Sequence, residues 1–213
     1  MRYTILTFLF ATILINAIYS QSGESYIQSA FNAIQAKNFQ QAVEFYTKAI
    51  EQQPNYAPAY YGRGLAYSYM DKFNEAVADL SKAINIDIKY HQAYYSRGLC
   101  YNRLSKFDLA ESDFTRAIEL SPNLPSYYYS RGSSYYSQGK DQQAVGDYSK
   151  AIDLDPNFGL AYYGRGVMHR LAKRYDAAIN DFQKYIDISG NKDGLLKEAQ
   201  RLIDDIKSEK EEK

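Results

Sequence analysis

The sequence predicts an all-α solenoid that is built from five helical hairpins and closed by a capping helix at its C-terminal end. Near-copies of one segment recur every 34 residues, and a fixed period of about 20 to 50 residues is typical of repeat arrays. Each copy contains two stretches in which apolar residues have helical spacing. A further apolar stripe follows the last copy, as the end of a solenoid requires.

The first twenty residues differ in composition from the repeats and predict a secretory signal peptide, residues 1–20. Arg2 supplies a positive charge, and the run from Ile5 to Ile18 is almost entirely apolar. This run is shorter than the roughly 20 residues that a membrane-spanning helix needs. Cleavage after Ser20 would make the protein secreted or periplasmic, and an uncleaved membrane anchor is the alternative.

The repeats can be followed in columns of equivalent residues. Three columns recur at the 34-residue spacing: Tyr26, Tyr60, Tyr94, Tyr128 and Tyr162; Ala30, Gly64, Gly98, Gly132 and Gly166; and Ala42, Ala76, Ala110, Ala144 and Ala178. The predicted repeats are residues 23–56, 57–90, 91–124, 125–158 and 159–192. Because each repeat buries its apolar side only against its neighbours, we predict one continuous domain.

Each repeat is predicted to be a helical hairpin. In the second repeat, Tyr60, Gly64 and Tyr67 share one face of a first helix, and Ala76 and Leu80 share one face of a second helix. Short polar connectors separate the two helices. A proline, which cannot continue a helix interior, follows the second helix in three repeats: Pro54, Pro122 and Pro156.

Small and large residues alternate at the positions where these helices must pack. Glycine inside a helix costs about 1 kcal/mol relative to alanine, yet four repeats have glycine in the column of Gly64. Packing at this column must therefore more than offset the cost. Large residues alternate with the small ones and predict one elongated core: Tyr46, Leu80, Phe114, Tyr148 and Phe182.

This pattern resembles the tetratricopeptide repeat family, in which an aromatic residue, Leu-Gly, Tyr, Ala, an aromatic residue, Ala and Pro recur over about 34 residues. The resemblance covers residues 23–192 and implies a right-handed solenoid. The chain departs from the pattern where Ile88 and Gly190 replace the Pro and Tyr185 replaces the second Ala. Arginines replace the Leu that precedes Gly: Arg63, Arg97, Arg131 and Arg165.

Residues 193–213 are predicted to form a capping helix and a charged tail. A helix with one apolar side suits the end of a solenoid, since an uncovered last repeat would expose apolar surface to water. The tail from Lys207 to Lys213 is expected to fray. The apolar stripe consists of Leu195, Leu196, Ala199, Leu202, Ile203 and Ile206.

The arginine that precedes the column glycine is followed sixteen residues later by an aspartate in four repeats. The first repeat lacks both, having Ser29 and Phe45 instead, so pairing within repeats leaves no member without a partner. We interpret the pairs as structural, because arginine stays charged and a bidentate Arg–carboxylate pair is a common structural device. The predicted pairs are Arg63 with Asp79, Arg97 with Asp113, Arg131 with Asp147 and Arg165 with Asp181.

Neither composition nor motifs indicate an enzyme. Acidic and basic residues number 25 each, so no net charge favours nucleic acid or an anionic membrane. Two histidines and one cysteine cannot form a zinc cluster or a disulfide framework, and we interpret His169 and Cys100 as packed core residues. No phosphate-binding loop, nucleophile elbow or zinc-protease motif occurs. We therefore predict no catalytic residue, cofactor or metal.

A second stripe on each first helix, one residue away from the core stripe, is the candidate partner-binding groove. The resemblance implies that this side of the first helices lines a concave groove that binds peptides. The alternative is that its tyrosines pack between neighbouring first helices, and both can hold, because tyrosine can bury its ring and leave its hydroxyl in water. The stripe comprises Tyr61, Leu65 and Tyr69; Tyr95, Leu99, Asn102 and Arg103; Tyr129, Ser133 and Tyr136; and Tyr163, Val167 and Arg170.

These features predict an exported, non-enzymatic module that binds a protein or peptide segment through a tyrosine-rich groove. Two alternatives are a solenoid that recognises a small ligand or a glycan, and an accessory subunit of an enzyme complex. No nucleic-acid partner is expected, and a membrane is expected only if the N-terminal segment is not cleaved. The partner's identity and the oligomeric state are left open.

Overall fold

The computed structural model of the protein describes residues 23–190 and 195–211. The predicted signal peptide and its cleavage site after Ser20 therefore lie outside the described residues. Throughout the described part, the chain is helical and contains no strand. None of the helices in those two ranges is long and apolar enough to cross a membrane.

Eleven helices follow one another in the described ranges. They are α1 (23–35), α2 (Phe39–Gln52), α3 (Ala57–Tyr69), α4 (Phe73–Ile86), α5 (His91–Arg103), α6 (Phe107–Leu120), α7 (Pro125–Ser137), α8 (Asp141–Leu154), α9 (Gly159–Leu171), α10 (Tyr175–Ser189) and α11 (Leu196–Glu211). The predicted all-α fold of consecutive helical hairpins is confirmed. The right-handed sense that the resemblance implies stays a prediction.

The first of two compact units ends at Leu104 and contains α1 to α5. In this unit α3 packs against α2 and α4, and α4 packs against α5. Tyr46 of α2 is buried among small side chains from three helices, which lets the helices approach closely. These small residues are Ala30, Ala33, Ala42, Ala49, Ala59 and Ala66.

The second unit begins at Ser105 and contains α6 to α11. Consecutive helices pack against each other from α6 to α11. The capping helix α11 contributes Leu202, Ile203 and Ile206 to a buried cluster that also contains Phe182 and Tyr185 of α10. This contact explains why the alanine of the repeat pattern is replaced by a tyrosine: its ring is fully buried.

The charged tail differs from the prediction of fraying. Helix α11 continues through Lys207 to Glu211. In its last turn, Lys210 Nζ lies 2.5 Å from Asp176 Oδ1 at the start of α10. The sequence pattern alone did not reveal this ion pair between the last turn of α11 and the start of α10.

The glycine column lies at a close contact inside three of the hairpins. A Cβ atom at Gly64 would lie 2.9 Å from Leu80 Cγ, and one at Gly132 or Gly166 would lie 2.9 Å from a ring carbon of Tyr148 or Phe182. Real Cβ atoms do not approach side chains so closely without displacement. The small and large columns therefore interlock as the sequence indicates.

The turn inside each hairpin places one residue in the left-handed backbone region. This position recurs every 34 residues, but only one repeat has glycine there. A residue with a Cβ atom is disfavoured in this region, so the other four turns carry local strain. The five residues are Lys37, Asp71, Ser105, Gly139 and Lys173, with φ of 58°, 57°, 58°, 69° and 55°.

Candidate partner-binding groove

In the first unit, the predicted groove side of α3 borders an apolar cavity of about 500 Å³, which we call the N-terminal pocket. Helix α1 forms one wall, α3 forms the other, and Tyr46 of α2 and Tyr90 before α5 complete it. None of the described residues that line the pocket is charged. The lining residues are Ile27, Gln28, Phe31, Ile34, Tyr46, Pro58, Tyr61, Gly62, Leu65, Tyr69 and Tyr90.

Two aromatic side chains at this pocket remain largely in solvent. Phe31 is 51% exposed and Tyr69 is 57% exposed, while Leu65 between them is half-buried. The Tyr69 ring stacks on Phe39 with 4.9 Å between ring centroids, which holds the exposed ring in place. Exposed aromatic side chains beside a cavity are the usual anchors of a binding partner.

Tyr61 has the double role that the sequence left open. Its ring lies 5.0 Å from that of Tyr90, so it packs against the start of the next repeat. Burial raises the pKa of Tyr61, and the nearby hydroxyls of Tyr69 and Tyr95 raise it further, while a hydrogen bond with Ser96 lowers it. The hydroxyl is therefore neutral at physiological pH, and the ring packs against Tyr90 while it also lines the pocket.

The remaining stripe residues of the first unit lie on α5. Leu99 is 38% exposed, and Tyr95 and Asn102 are half-buried. The guanidinium of Arg103 lies 4.7 Å from the centre of the Phe73 ring and 3.2 Å from Asp71 Oδ1. Arg103 is thus held at the turn of the preceding hairpin rather than projecting freely.

In the second unit, the stripe residues of α7 are partly used for packing. The Tyr129 ring lies 5.7 Å from that of Tyr148 and 5.5 Å from that of Phe158. Ser133 Oγ accepts a hydrogen bond of 3.4 Å from the Tyr148 hydroxyl. Tyr136 is 46% exposed and is the stripe residue of α7 with the most open surface.

The three stripe residues of α9 lie beside the capping helix α11 and border a cavity next to it. Tyr163 and Val167 pack with the buried cluster to which α11 contributes. Arg170 Nη2 lies 3.6 Å from Glu209 Oε1 and 4.0 Å from Asp205 Oδ2, both on α11. The capping helix therefore covers much of this side of α9, because the apolar end of the array has to be shielded from water.

A second cavity of about 690 Å³ remains beside α9 and α11, and we call it the C-terminal cavity. Unlike the N-terminal pocket, it is lined by charged side chains of both signs. Its charged lining residues are Arg170, Lys173, Glu198 and Glu209, and they stand beside the aromatic residues Tyr136, Tyr163 and Tyr175.

Three of the four predicted Arg–Asp pairs are bidentate and lie within a repeat. Arg63 Nε and Nη2 donate to Asp79 at 2.6 and 2.8 Å. The pairs in the fourth and fifth repeats have the same geometry, with distances of 2.7 to 2.8 Å: Arg131 with Asp147, and Arg165 with Asp181. The Arg97–Asp113 pair, whose members belong to different units, stays a prediction.

Each arginine of this column has a further bond that sequence reasoning missed. Its Nη1 atom donates to a hydroxyl sixteen residues earlier, on the second helix of the preceding repeat. A Thr or Ser column at the 34-residue spacing could have signalled this contact. The hydroxyl partners are Thr47, Ser81, Thr115 and Ser149, at 2.8 to 3.1 Å.

These contacts keep the arginine side chains protonated. Hydrogen bonding to the paired aspartate raises the pKa of Arg63, Arg131 and Arg165, although burial opposes the shift. A permanently charged guanidinium that is bonded to a carboxylate and a hydroxyl is a structural connector. It is not an acid or a base.

His169 and Cys100 have surroundings that suit packing and not reactivity. Burial lowers the pKa of His169, and its Nδ1 atom is buried with no hydrogen-bond partner among the described residues. Burial raises the pKa of the Cys100 thiol, which keeps it protonated and unreactive. In residues 23–190 and 195–211, no three potential metal ligands are grouped together.

Comparisons with known protein families agree with this architecture. Models described as "Tetratricopeptide repeat" match residues 23–56, 57–90, 91–124 and 160–192. A model described as "TPR repeat" matches residues 132–172. The search of curated proteins found no match to the chain.

Several solved structures are similar. A crystal structure of MamA is 25% identical, covers 81% of this chain and 94% of its own, and has a TM-score of 0.72. A crystal structure of YrrB, described as a TPR protein with an unusual peptide-binding site, is 25% identical, covers 86% and 97%, and has a TM-score of 0.69. MamA from Desulfovibrio magneticus RS-1 is 18% identical, covers 81% of this chain and 97% of its own, and has a TM-score of 0.74. At this identity the similarity shows the fold alone.

Proposed function

We propose that this chain, which belongs to the tetratricopeptide repeat family, is a protein-interaction module that binds a peptide segment at the N-terminal pocket. The observation that carries the proposal is the uncharged, aromatic cavity between α1 and α3. The similarity to YrrB, a TPR protein with a peptide-binding site, supports it.

The N-terminal pocket offers what peptide binding requires. A few aromatic anchors usually supply most of the binding free energy. Tyrosine contributes a large contact area while losing little rotamer entropy, and the stacked pair of Tyr69 and Phe39 is already in place. By contrast, α11 covers much of the equivalent side of α9, so we place the principal site in the first unit.

The proposal is tested by removing the exposed anchors. In a variant with Phe31→Ala and Tyr69→Ala, we expect partner capture by the full chain to weaken by about 2 kcal/mol or more. Helical content and melting temperature should change little, because both side chains are largely exposed. Calorimetry or biolayer interferometry with the captured partner measures the loss.

The matched control is Leu109→Ala. Leu109 is 49% exposed on α6 and does not line the pocket. It should leave capture unchanged. Undiminished capture by the Phe31 and Tyr69 variant would contradict the proposal.

A glycan or small ligand is the second candidate, because four tyrosines line the same pocket and aromatic faces also stack on sugars. Retention on a polysaccharide matrix that is lost in the Phe31 and Tyr69 variant, without any protein capture, would favour it. We propose no catalytic role, since the column arginines and aspartates of three repeats are paired with each other.

Export is part of the proposal and depends on the composition of residues 1–20. We expect a mature chain that begins at Gln21. N-terminal sequencing or intact-mass measurement of the exported protein tests this. A chain that still begins at Met1 and sediments with membranes would replace the cleaved signal with an anchor.

A further inference from the structure

The floor of the N-terminal pocket is Tyr46, whose ring lies against α3 at a position where α3 has no side chain. A Cβ atom at Gly62 would overlap the Tyr46 ring and lie 2.6 Å from its hydroxyl oxygen. Any side chain at position 62 would therefore displace that ring. Because the residue is glycine, Tyr46 of α2 lies against the backbone of α3 and lines the pocket.

The internal repeats show which part of Tyr46 the glycine accommodates. Residues sixteen apart form equivalent pairs along the chain. Where the earlier residue of a pair is tyrosine, the later residue is glycine. Where the earlier residue is leucine or phenylalanine, which have no hydroxyl, the later residue is serine. The pairs are Tyr46 with Gly62, Leu80 with Ser96, Phe114 with Ser130 and Tyr148 with Gly164.

The two tyrosines of this column differ in what their hydroxyls contact. The Tyr148 hydroxyl donates to Ser133, which lies fifteen residues before it. The residue fifteen before Tyr46 is Phe31, which cannot accept a hydrogen bond. Within the described part of the chain, the Tyr46 hydroxyl has no hydrogen-bond partner. It is available for a ligand.

Tyr90 adds a second hydroxyl to the same site, whereas the hydroxyl of Tyr61 already has a hydrogen bond with Ser96. Burial raises the pKa of Tyr90, and the neighbouring groups of Tyr61, Tyr56, Asp87 and Tyr46 raise it further. The hydroxyls of Tyr46 and Tyr90 therefore remain neutral donors at physiological pH. In residues 23–190 and 195–211, the Tyr90 hydroxyl also lacks a hydrogen-bond partner.

We propose that the N-terminal pocket binds an uncharged, proline-rich segment in the polyproline II conformation, with its backbone carbonyls accepting hydrogen bonds from Tyr46 and Tyr90. This inference rests on the proposed function and names the class of partner. A proline segment has carbonyl acceptors but few N–H donors. It can therefore satisfy the tyrosine hydroxyls without needing acceptors of its own.

Other partner classes fit this pocket less well. The carbonyls of an α-helical peptide already accept bonds within the helix, so the hydroxyls of Tyr46 and Tyr90 would lose contact with water on binding without gaining an acceptor, which is costly. A carboxylate, phosphate or ammonium group would find no charge among the lining residues. A glycan would bring donors as well as acceptors, and the pocket has few acceptors for them.

The size of the pocket and the preformed conformation of a proline segment also suit each other. Its volume of about 500 Å³ falls in the range of roughly 300 to 1,000 Å³ that is usual for specific binding pockets. A polyproline II helix is preformed in solution and loses little entropy on binding, and aromatic-lined grooves are its usual receptors.

The test uses a fluorescent, terminally blocked oligoproline of about eight residues, ~25 Å long in the polyproline II form. Anisotropy titration of the full chain should show saturable binding. The Tyr46→Phe variant removes one hydroxyl and keeps the ring, and Phe114 and Phe182 show that this column accepts phenylalanine. We expect the variant to bind about five- to tenfold more weakly.

The matched control is Tyr148→Phe, which makes the same change in the same column beside its own glycine. It should leave oligoproline binding unchanged. The inference is overturned if oligoproline does not bind, or if Tyr46→Phe binds as tightly as the unmodified chain.

Two further probes separate this inference from the proposed function. An amphipathic helical peptide, or an oligosaccharide, that binds in place of oligoproline and is lost with Phe31→Ala and Tyr69→Ala would overturn the partner class. The helical peptide result would leave the proposed function standing. If the captured protein partner is unaffected by that double variant, both the inference and the proposed function fail.

Discussion

The stripe residues of α3 and those of α9 occupy equivalent positions but have different neighbours. Tyr61 and Leu65 line an uncharged cavity at the protein surface. Their equivalents Tyr163 and Val167 pack with the cluster that α11 completes, and Arg170 lies near two of its carboxylates. The same column thus borders an uncharged cavity in one repeat, whereas in the other it packs beside α11 and borders a cavity lined by charged side chains.

The two ends of the array are also protected in different ways. At the C-terminal end, a separate helix shields the apolar side of α10. On α1, the positions that contact a preceding second helix in later repeats hold exposed polar residues. Ser25, Gln28 and Asn32 stand where the second repeat has Ala59, Gly62 and Ala66.

The largest effect is expected from weakening the packing of the capping helix α11 on the last repeat. Ile206 of α11 is fully buried, so Ile206→Ala should lower the free energy of unfolding by about 2 to 5 kcal/mol through lost burial and a new cavity. Urea denaturation followed by circular dichroism measures it. Lys207→Ala, on the exposed side, is the control, and equal effects from the two changes would show that α11 does not cover the last repeat.

A slightly smaller effect is expected from breaking an arginine pair. Asp79→Ala leaves the Arg63 guanidinium partly buried without its carboxylate and should cost about 2 to 4 kcal/mol. A double-mutant cycle with Arg63→Ala measures the coupling. The cycle on Arg97 and Asp113 extends the test to the remaining predicted pair, and additive losses would argue against pairing.

Parallel substitutions in the two equivalent stripes test the comparison directly. Leu65→Ala should weaken partner binding by about 1 to 2 kcal/mol, because Leu65 lines the pocket. Val167→Ala should leave binding unchanged and lower stability by about 1 kcal/mol, because Val167 packs with the capped cluster. Affinity and urea unfolding are measured on both variants, and the reverse pattern would move the binding site to the second unit.

The smallest effect concerns His169, which occupies a column that holds Tyr67, Tyr101 and Tyr135. Burial lowers its pKa, Asp181 opposes this shift, and Arg165 and Arg174 reinforce it. The unfolded chain therefore takes up a proton first as pH falls below about 6.5, and the native state loses stability there.

Urea midpoints at pH 7.5 and pH 5 measure this loss. His169→Tyr should reduce the difference between the two midpoints, since tyrosine does not titrate in this range. An unchanged difference would assign the acid sensitivity to other groups.

Much of the fold could be predicted from the sequence because the contacts within each repeat join residues that are close together in the sequence. Helical spacing, the glycine column and the sixteen-residue separation of Arg63 from Asp79 all describe contacts inside one hairpin. Such contacts depend on helix geometry, which is the same wherever the hairpin occurs. The amphipathic α11 was predictable for the same reason.

Other features depended on how one hairpin lies against the next, and only the tertiary structure decided them. The sequence did not show that α11 covers Tyr163, or that Arg63 reaches back to Thr47. It also did not show that the turn residue Lys37 adopts a left-handed conformation, since that position is glycine in only one repeat. The pocket itself requires Gly62 to lie over Tyr46, a contact between repeats that no periodicity within one repeat can reveal.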